Sequence, residues 1–494
     1  MNDQIRQAAR AVLRSSAVWT GFLLLSVYLL TNGGQTFSSD GEIMFQTAMR
    51  IADAHTLTLQ PERAYLFPQV VQGQGGFYFS RYGLGQPLAA VPFYMLGSSV
   101  LGPLLVVGST PPHLEMGHFT ALLLPIVATA VSAAVLCAWS QRLYRQAWIG
   151  VAVGLLYGLA TLAWPYTRFF FSEPLFTCCL VIAAFAIYLR SFGFAGLALG
   201  YAIATRLGGV MLLPAFLLYI WFVQAHGSAW WQLTRPRLVA MLGWSLGLIP
   251  GFLIILANNW ARFRTLYEQG YDDQGFTGHI IEGLWGLLFS PGKSVFLYAP
   301  LLLLLPVALV LFSRRFRAET ALIVLISVTT LLQSAAWWIW WGGWGWGPRF
   351  LVPLMPFLML PFGVLFERSF WRMVLLFVFV PISIGINLLG ILVDFNEHLA
   401  LVTQGKFERE VVYLYDWTQS PIVGHLQLLD FSDLPIVSFV LSRPDIGFPE
   451  PVATLLSVSF VVLLIISLIG LWWSLQQQQQ QQQACIHVVE QAGG

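Results

Sequence analysis

The chain has 494 residues, of which 57% are hydrophobic and 10% charged, and its mean hydropathy is +0.71. Soluble domains carry about 25% charged residues, so the composition excludes an ordinary soluble enzyme, and a net charge of +2 gives nucleic acid nothing to bind. Three of the four cysteines, Cys137, Cys178 and Cys179, fall in apolar runs and Cys485 in the tail, so no disulfide framework is visible.

Twelve apolar runs are long enough, or nearly so, to cross a bilayer. They lie near 17–33, 117–139, 147–164, 174–190, 194–205, 208–225, 238–257, 296–312, 320–336, 350–366, 373–393 and 452–474. The fifth is short and is interrupted by Arg206 and Gly208-Gly209, which sets the count at eleven to thirteen. The expected fold class is therefore an all-α polytopic membrane protein. One transmembrane domain is expected over 1–475, with no internal repeat and no soluble domain. Residues 476–494 begin with eight glutamines and read as a disordered, low-complexity cytoplasmic tail.

Charge orients the spans. With the N-terminus inside, the inner segments hold thirteen arginines against four acidic residues, and the outer segments hold the acidic excess. That bias places both termini in the cytoplasm. The long loops, 34–116, 258–295 and 394–451, then lie outside. A protein that invests its polar residues on one face works there, so a plasma-membrane protein with an extracytoplasmic site is expected. The apolar stretch Pro87 to Leu105 reads as interfacial, because a crossing there would invert every later span and reverse the arginine bias.

The first loop opens on Ser38-Ser39-Asp40-Gly41-Glu42-Ile43-Met44-Phe45. Two carboxylates at a bilayer surface must be solvated, paired or used. Ser39 or Asp40 caps a helix here in the plainest reading, and a cap also fixes a carboxylate in place. Next comes Ser80-Arg81-Tyr82-Gly83, where Arg81 either snorkels to lipid phosphate or holds a substrate phosphate. Arg168 and Glu173 flank Phe169-Phe170-Phe171-Ser172 at the outer edge of two spans. An ionisable pair in so apolar a setting is a functional candidate. Lys293, one of only two lysines with Lys406, follows Pro291-Gly292; the glycine spacing around it excludes a P-loop. Six tryptophans fall between Trp337 and Trp346, ahead of Gly347-Pro348-Arg349-Phe350. They form either an interfacial belt or a platform for sugar or isoprenoid, with Trp344, Trp346 and Arg349 as substrate-binding candidates. No zinc-ligand spacing and no Ser-His-Asp arrangement is visible.

These pieces, in this order, resemble the GT-C superfamily of membrane glycosyltransferases, in the protein O-mannosyltransferase and aminoarabinose-transferase branch. That branch carries an acidic pair in its first outer loop with an aromatic three residues after the Glu. Glu42 and Phe45 match the Glu and the aromatic, whereas Gly41 stands at the Asp position and Asp40 one place earlier. Arg81 with Pro87-Leu88, Arg168 with Glu173, and Arg349-Phe350-Leu351-Val352-Pro353-Leu354-Met355-Pro356 match its later motifs. The resemblance implies inverting transfer of a sugar from a polyprenyl-phosphate donor to an acceptor hydroxyl on the extracytoplasmic face.

On that reading Asp40, Glu42 and Glu173 are the catalytic candidates, with Asp40 preferred over Glu42 as the base. Arg81, Tyr82, Arg168, Lys293 and Arg349 surround the donor, where cations meet the charge on the leaving phosphate. No cofactor is expected; a divalent ion between the acids is the lesser alternative. The other function classes open to such a chain are a secondary transporter and a lipid or glycan flippase. A transporter calls for repeated halves and charges at mid-membrane, neither of which the sequence displays.

Overall fold

The computed structural model describes residues 14–61, 69–105, 112–224, 231–271, 274–367, 370–431 and 450–492. The chain is a polytopic helical membrane protein. Helix α1 (Ser16–Leu30) is followed by α2 (Ser39–Ala54), a hairpin of β1 (Val70–Gln72) and β2 (Tyr78–Ser80), and α3 (Gly85–Met95). The hairpin pairs Val71 with Phe79; it is an addition to the all-α expectation. A π-helical turn, Leu96–Leu101, and a short helix, Gly102–Leu105, prolong α3, so the stretch read as interfacial is helical throughout.

The bundle follows: α4 (Pro112–Ala121), α5 (Leu123–Tyr144), α6 (Ala147–Leu159), α7 (Glu173–Tyr188), α8 (Phe192–Thr205), α9 (Leu213–Val223) and α10 (Arg235–Phe263). Then come α11 (Ile280–Phe289), α12 (Leu305–Ser313) and α13 (Arg317–Ala336). Residues Arg349–Phe366 form one span of alternating 3-10 and α turns, since Pro353, Pro356 and Pro361 each remove an N–H from the ladder. The chain closes with α14 (Phe370–Leu392), α15 (Phe395–Thr403), α16 (Glu410–Tyr415), α17 (Pro421–Leu428) and α18 (Glu450–Ala492).

Every one of the twelve expected runs is helical. Among the described residues six helices are long and apolar enough to cross a membrane, and the other runs are apolar helices of 10–17 residues. Helix α18 continues through the glutamine run to Ala492. Glutamine is a good helix former. Gln478 also ties the helix to the chain start, accepting from Ser16 Oγ at 2.9 Å and donating to the Arg14 carbonyl at 3.2 Å.

Two contacts set the frame of the site. Helices α8 and α10 pack in parallel through Gly196 and Gly200 on one and Gly247 and Gly251 on the other. A Cβ on Gly251 would sit 2.1 Å from the Gly200 carbonyl oxygen, so small residues are required for this approach. The packing brings the C-terminal ends of both helices, with Arg206 and Arg262, to the same end of the bundle. The second contact is aromatic. Phe170 meets Phe45 of α2 at 6.5 Å, and Phe169 meets Phe395 of α15 at 4.9 Å, both edge-on. The buried 169–171 segment thus locks α2 and α15 around the start of α7.

Candidate active site

Helix α2 begins because Ser38 caps it: its hydroxyl accepts from the Gly41 amide at 3.0 Å. The cap is therefore Ser38, one or two residues before the expected Ser39 or Asp40. Serine reaches the third amide of the helix without straining the chain, and Asp40 falls in the first turn. There it is free to turn outward.

Asp40 lines a cavity of about 1160 Å³. Its Oδ2 accepts from Arg349 Nη2 at 2.9 Å, and Arg349 Nε lies 3.7 Å from Glu173 Oε1. Glu173, at the first position of α7, also pairs with Arg206, just past the end of α8. The chain of charges Asp40–Arg349–Glu173–Arg206 crosses the cavity wall. It joins the first loop, α7, α8 and the 349–366 span. Tyr82 is hydrogen-bonded to Asp40; desolvation, then that carboxylate's charge, push its phenol well above the usual range. Tyr82 is therefore a fixed donor to Asp40 and cannot serve as a base.

Further cations gather on the same cavity. Arg81 lies over the Tyr271 ring at 5.9 Å. Arg262, near the end of α10, donates to the Ser80 carbonyl at 2.8 Å and to Asn259 Oδ1 at 3.0 Å. Among the described residues the lining holds five cations, Arg81, Arg206, Arg262, Arg349 and Lys406, and three carboxylates, Asp40, Glu173 and Glu410. Away from this charged end the lining turns apolar, through Phe176, Ile203, Leu207, Leu212 and Ile255. Val210 and Met211 line that part too, and are 36% and 44% exposed. One cavity thus joins arginines and carboxylates to an apolar wall. Among the described residues, none of the arginines that the charge bias assigns to the inner face lines it.

The candidate residues divide. Asp40, Arg81, Tyr82, Glu173, Trp344 and Arg349 line the cavity. Glu42 does not: it accepts from Thr36 Oγ1 at 3.0 Å and from Gln46 Nε2 at 2.7 Å, on the far side of its helix turn. Arg168 does not pair with Glu173. It is buried, donates to the Ile391 carbonyl and stacks on Phe37 at 5.2 Å; its sequence neighbourhood placed it beside Glu173, but these partners lie elsewhere. Trp346 is wholly buried between Tyr298 at 5.0 Å and His425 at 4.3 Å. Lys293 is 1% exposed, and its Nζ donates to the carbonyls of Gly343 and Gly345 at 3.0 and 2.9 Å.

Sequence reasoning passed over Arg206, Arg262 and Glu410. Arg206 had a signal, a lone arginine interrupting an apolar run. Arg262 and Glu410 had none, since each lies among loop-edge charges of ordinary type. Among the described residues no three His, Cys, Asp or Glu side chains gather as a metal site, and Asp40 and Glu173 are held by arginines.

No family model matches the sequence, and no curated protein matches it. Among solved structures the chain is similar to ArnT from Cupriavidus metallidurans bound to undecaprenyl phosphate, at 14% identity and a TM-score of 0.49, over 92% of this chain and 76% of that one. It is likewise similar to the same protein in the apo state, at 15% identity and a TM-score of 0.47, over 93% of this chain and 75% of that one.

Proposed function

We propose that the protein is an inverting glycosyltransferase that moves a sugar from a polyprenyl-phosphate donor to an acceptor hydroxyl on the extracytoplasmic face. The observation that carries this is one cavity lined by arginines, by the Asp40 carboxylate and by an extended apolar wall. A polyprenyl chain lies along the apolar side among Val210, Met211 and Leu212. Its phosphate meets Arg206, Arg81 and Arg262. Arginine suits this place because its fork matches phosphate and stays charged when desolvated.

The anomeric carbon next to that phosphate then lies near Asp40. Asp40 takes the proton of the acceptor hydroxyl as the hydroxyl attacks from the face opposite the phosphate. The glycosidic bond to phosphate breaks, and the phosphate leaves with its added charge. The arginines stabilise that charge in a site poor in water, where such contacts are worth more than in bulk solvent. Arg349 orients Asp40, and Glu173 anchors Arg349 and Arg206 from behind. The acceptor hydroxyl belongs to a lipid, glycan or protein, and the sugar is a hexose or pentose.

The test is sugar transfer by purified protein in proteoliposomes, supplied with a panel of undecaprenyl-phosphate sugars and acceptors. Transfer with inverted stereochemistry is expected. Movement of the intact lipid-linked sugar between leaflets without bond cleavage would mark a flippase and refute the reading.

A further inference from the structure

The tryptophan-rich loop 337–347 is held far more tightly than an interfacial belt requires. Gly342, Gly343 and Gly347 take φ values of +74°, +68° and +63°, a region open to glycine at little cost. Trp344 stands between two of these turns and lines the cavity. Its indole Nε1 donates to Glu410 Oε1 at 2.9 Å. The other oxygen of Glu410 accepts from Trp341 Nε1 at 2.5 Å and from the Tyr413 hydroxyl at 3.4 Å. Glu410 is 7% exposed. From the other side Lys293 Nζ donates to the carbonyls of Gly343 and Gly345, the residues that flank Trp344.

We infer that Lys293 and Glu410 are positioning residues that clamp Trp344 as the platform of the sugar subsite. The Glu410 carboxylate holds the loop by its indole N–H groups, and the Lys293 Nζ holds it by its carbonyls. Each buried polar group faces partners of opposite polarity. The result fixes a residue at its side chain and at both neighbouring peptides. Rigid aromatic faces suit the apolar face of a sugar ring, and a polar rim beside them fixes its hydroxyls. Glu410 lines the cavity next to Trp344 and retains acceptor capacity for a sugar hydroxyl beyond the three bonds it already accepts. Lys293, a cation expected to meet the donor phosphate, instead acts through the loop.

This inference rests on the donor reading above, and the experiment separates the two. Purified protein in nanodiscs is titrated with undecaprenyl phosphate, undecaprenyl-phosphate mannose and undecaprenyl-phosphate aminoarabinose. Wild-type protein is expected to bind at least one sugar-bearing lipid about fivefold more tightly than the bare lipid phosphate, the scale of one aromatic contact. Trp344→Ala should abolish that preference and leave affinity for undecaprenyl phosphate within about twofold. Glu410→Gln and Lys293→Met should each lower the preference. Trp344→Phe keeps a ring and loses the N–H, so adding Glu410→Gln to it should cost nothing further through that bond. Wild-type protein that binds no lipid phosphate would sink the donor reading itself. Tight binding of all three lipids without preference would overturn the sugar subsite alone. A preference that survives Glu410→Gln, or a full further loss when Glu410→Gln is added to Trp344→Phe, would overturn the clamp.

Discussion

Replacing Arg349 with methionine keeps an aliphatic stem against Phe171 and Phe350, which the guanidinium now covers at 4.6 and 5.2 Å, and removes the charge. Two carboxylates lose their shared partner: Asp40, 14% exposed and 2.9 Å away, and Glu173, 2% exposed and 3.7 Å away. Removing one partner of a buried pair costs about 3–5 kcal/mol. Glu173 still has Arg206 and Asp40 still reaches solvent, so the lower figure, about 3 kcal/mol, is expected here. An unfolding entropy of about 2.1 cal/mol/K per residue over a chain of 494 residues makes that roughly a 3 °C fall in melting temperature. Thermal unfolding of detergent-purified protein, followed by tryptophan fluorescence, measures it. Adding Asp40→Asn to Arg349→Met removes one stranded charge and should recover part of the loss. An Arg349→Met protein as stable as wild type, or a double variant less stable than the single, would refute the charge-pairing argument.

Three further outcomes are expected. Arg206→Ala should weaken undecaprenyl phosphate binding about 10- to 100-fold, the range for a lost charge-assisted contact of about 1.5–3 kcal/mol. Arg168→Ala, which faces Phe37 and the Ile391 carbonyl, should lower melting temperature and leave that affinity near wild type; direct titration of both variants checks the pair. Burial pushes the Lys293 ammonium down to about 7, with Glu410 opposing and Arg349 adding to the shift. An unfolded lysine titrates near about 10.4. Between those values the unfolded chain binds the proton and the folded chain does not. Stability should therefore rise with pH from about 7 to about 10. Melting curves across that range should show the slope in wild type and its loss in Lys293→Met.

The spans were legible because an apolar run is a local property, and each run in the sequence became a helix. The charged end of the cavity was legible only in part. Asp40, Arg81, Glu173 and Arg349 stood out as ionisable groups at span edges. Their partners did not, because Asp40 meets Arg349 across most of the chain and Glu173 meets Arg206 rather than the nearby Arg168. No residue type in the sequence announces that choice. Trp344 and Trp346 are two positions apart, yet one faces the cavity and the other is buried. The positive-φ glycines around them set that division, and sequence records only that glycines are present. The hairpin at 70–80 escaped for a different reason: strand pairing overrides a weak local signal.

The central claim is that Asp40 is the base of a sugar transfer. The most direct test compares the transfer rates of Asp40→Asn and Glu42→Gln at saturating donor. Asp40 lines the cavity, and Glu42 is tied to Thr36 and Gln46 outside it. Asp40→Asn should lose about a hundredfold to ten-thousandfold in rate, with donor binding near wild type, and Glu42→Gln should lose far less. An Asp40→Asn protein that transfers sugar faster than Glu42→Gln would contradict the account.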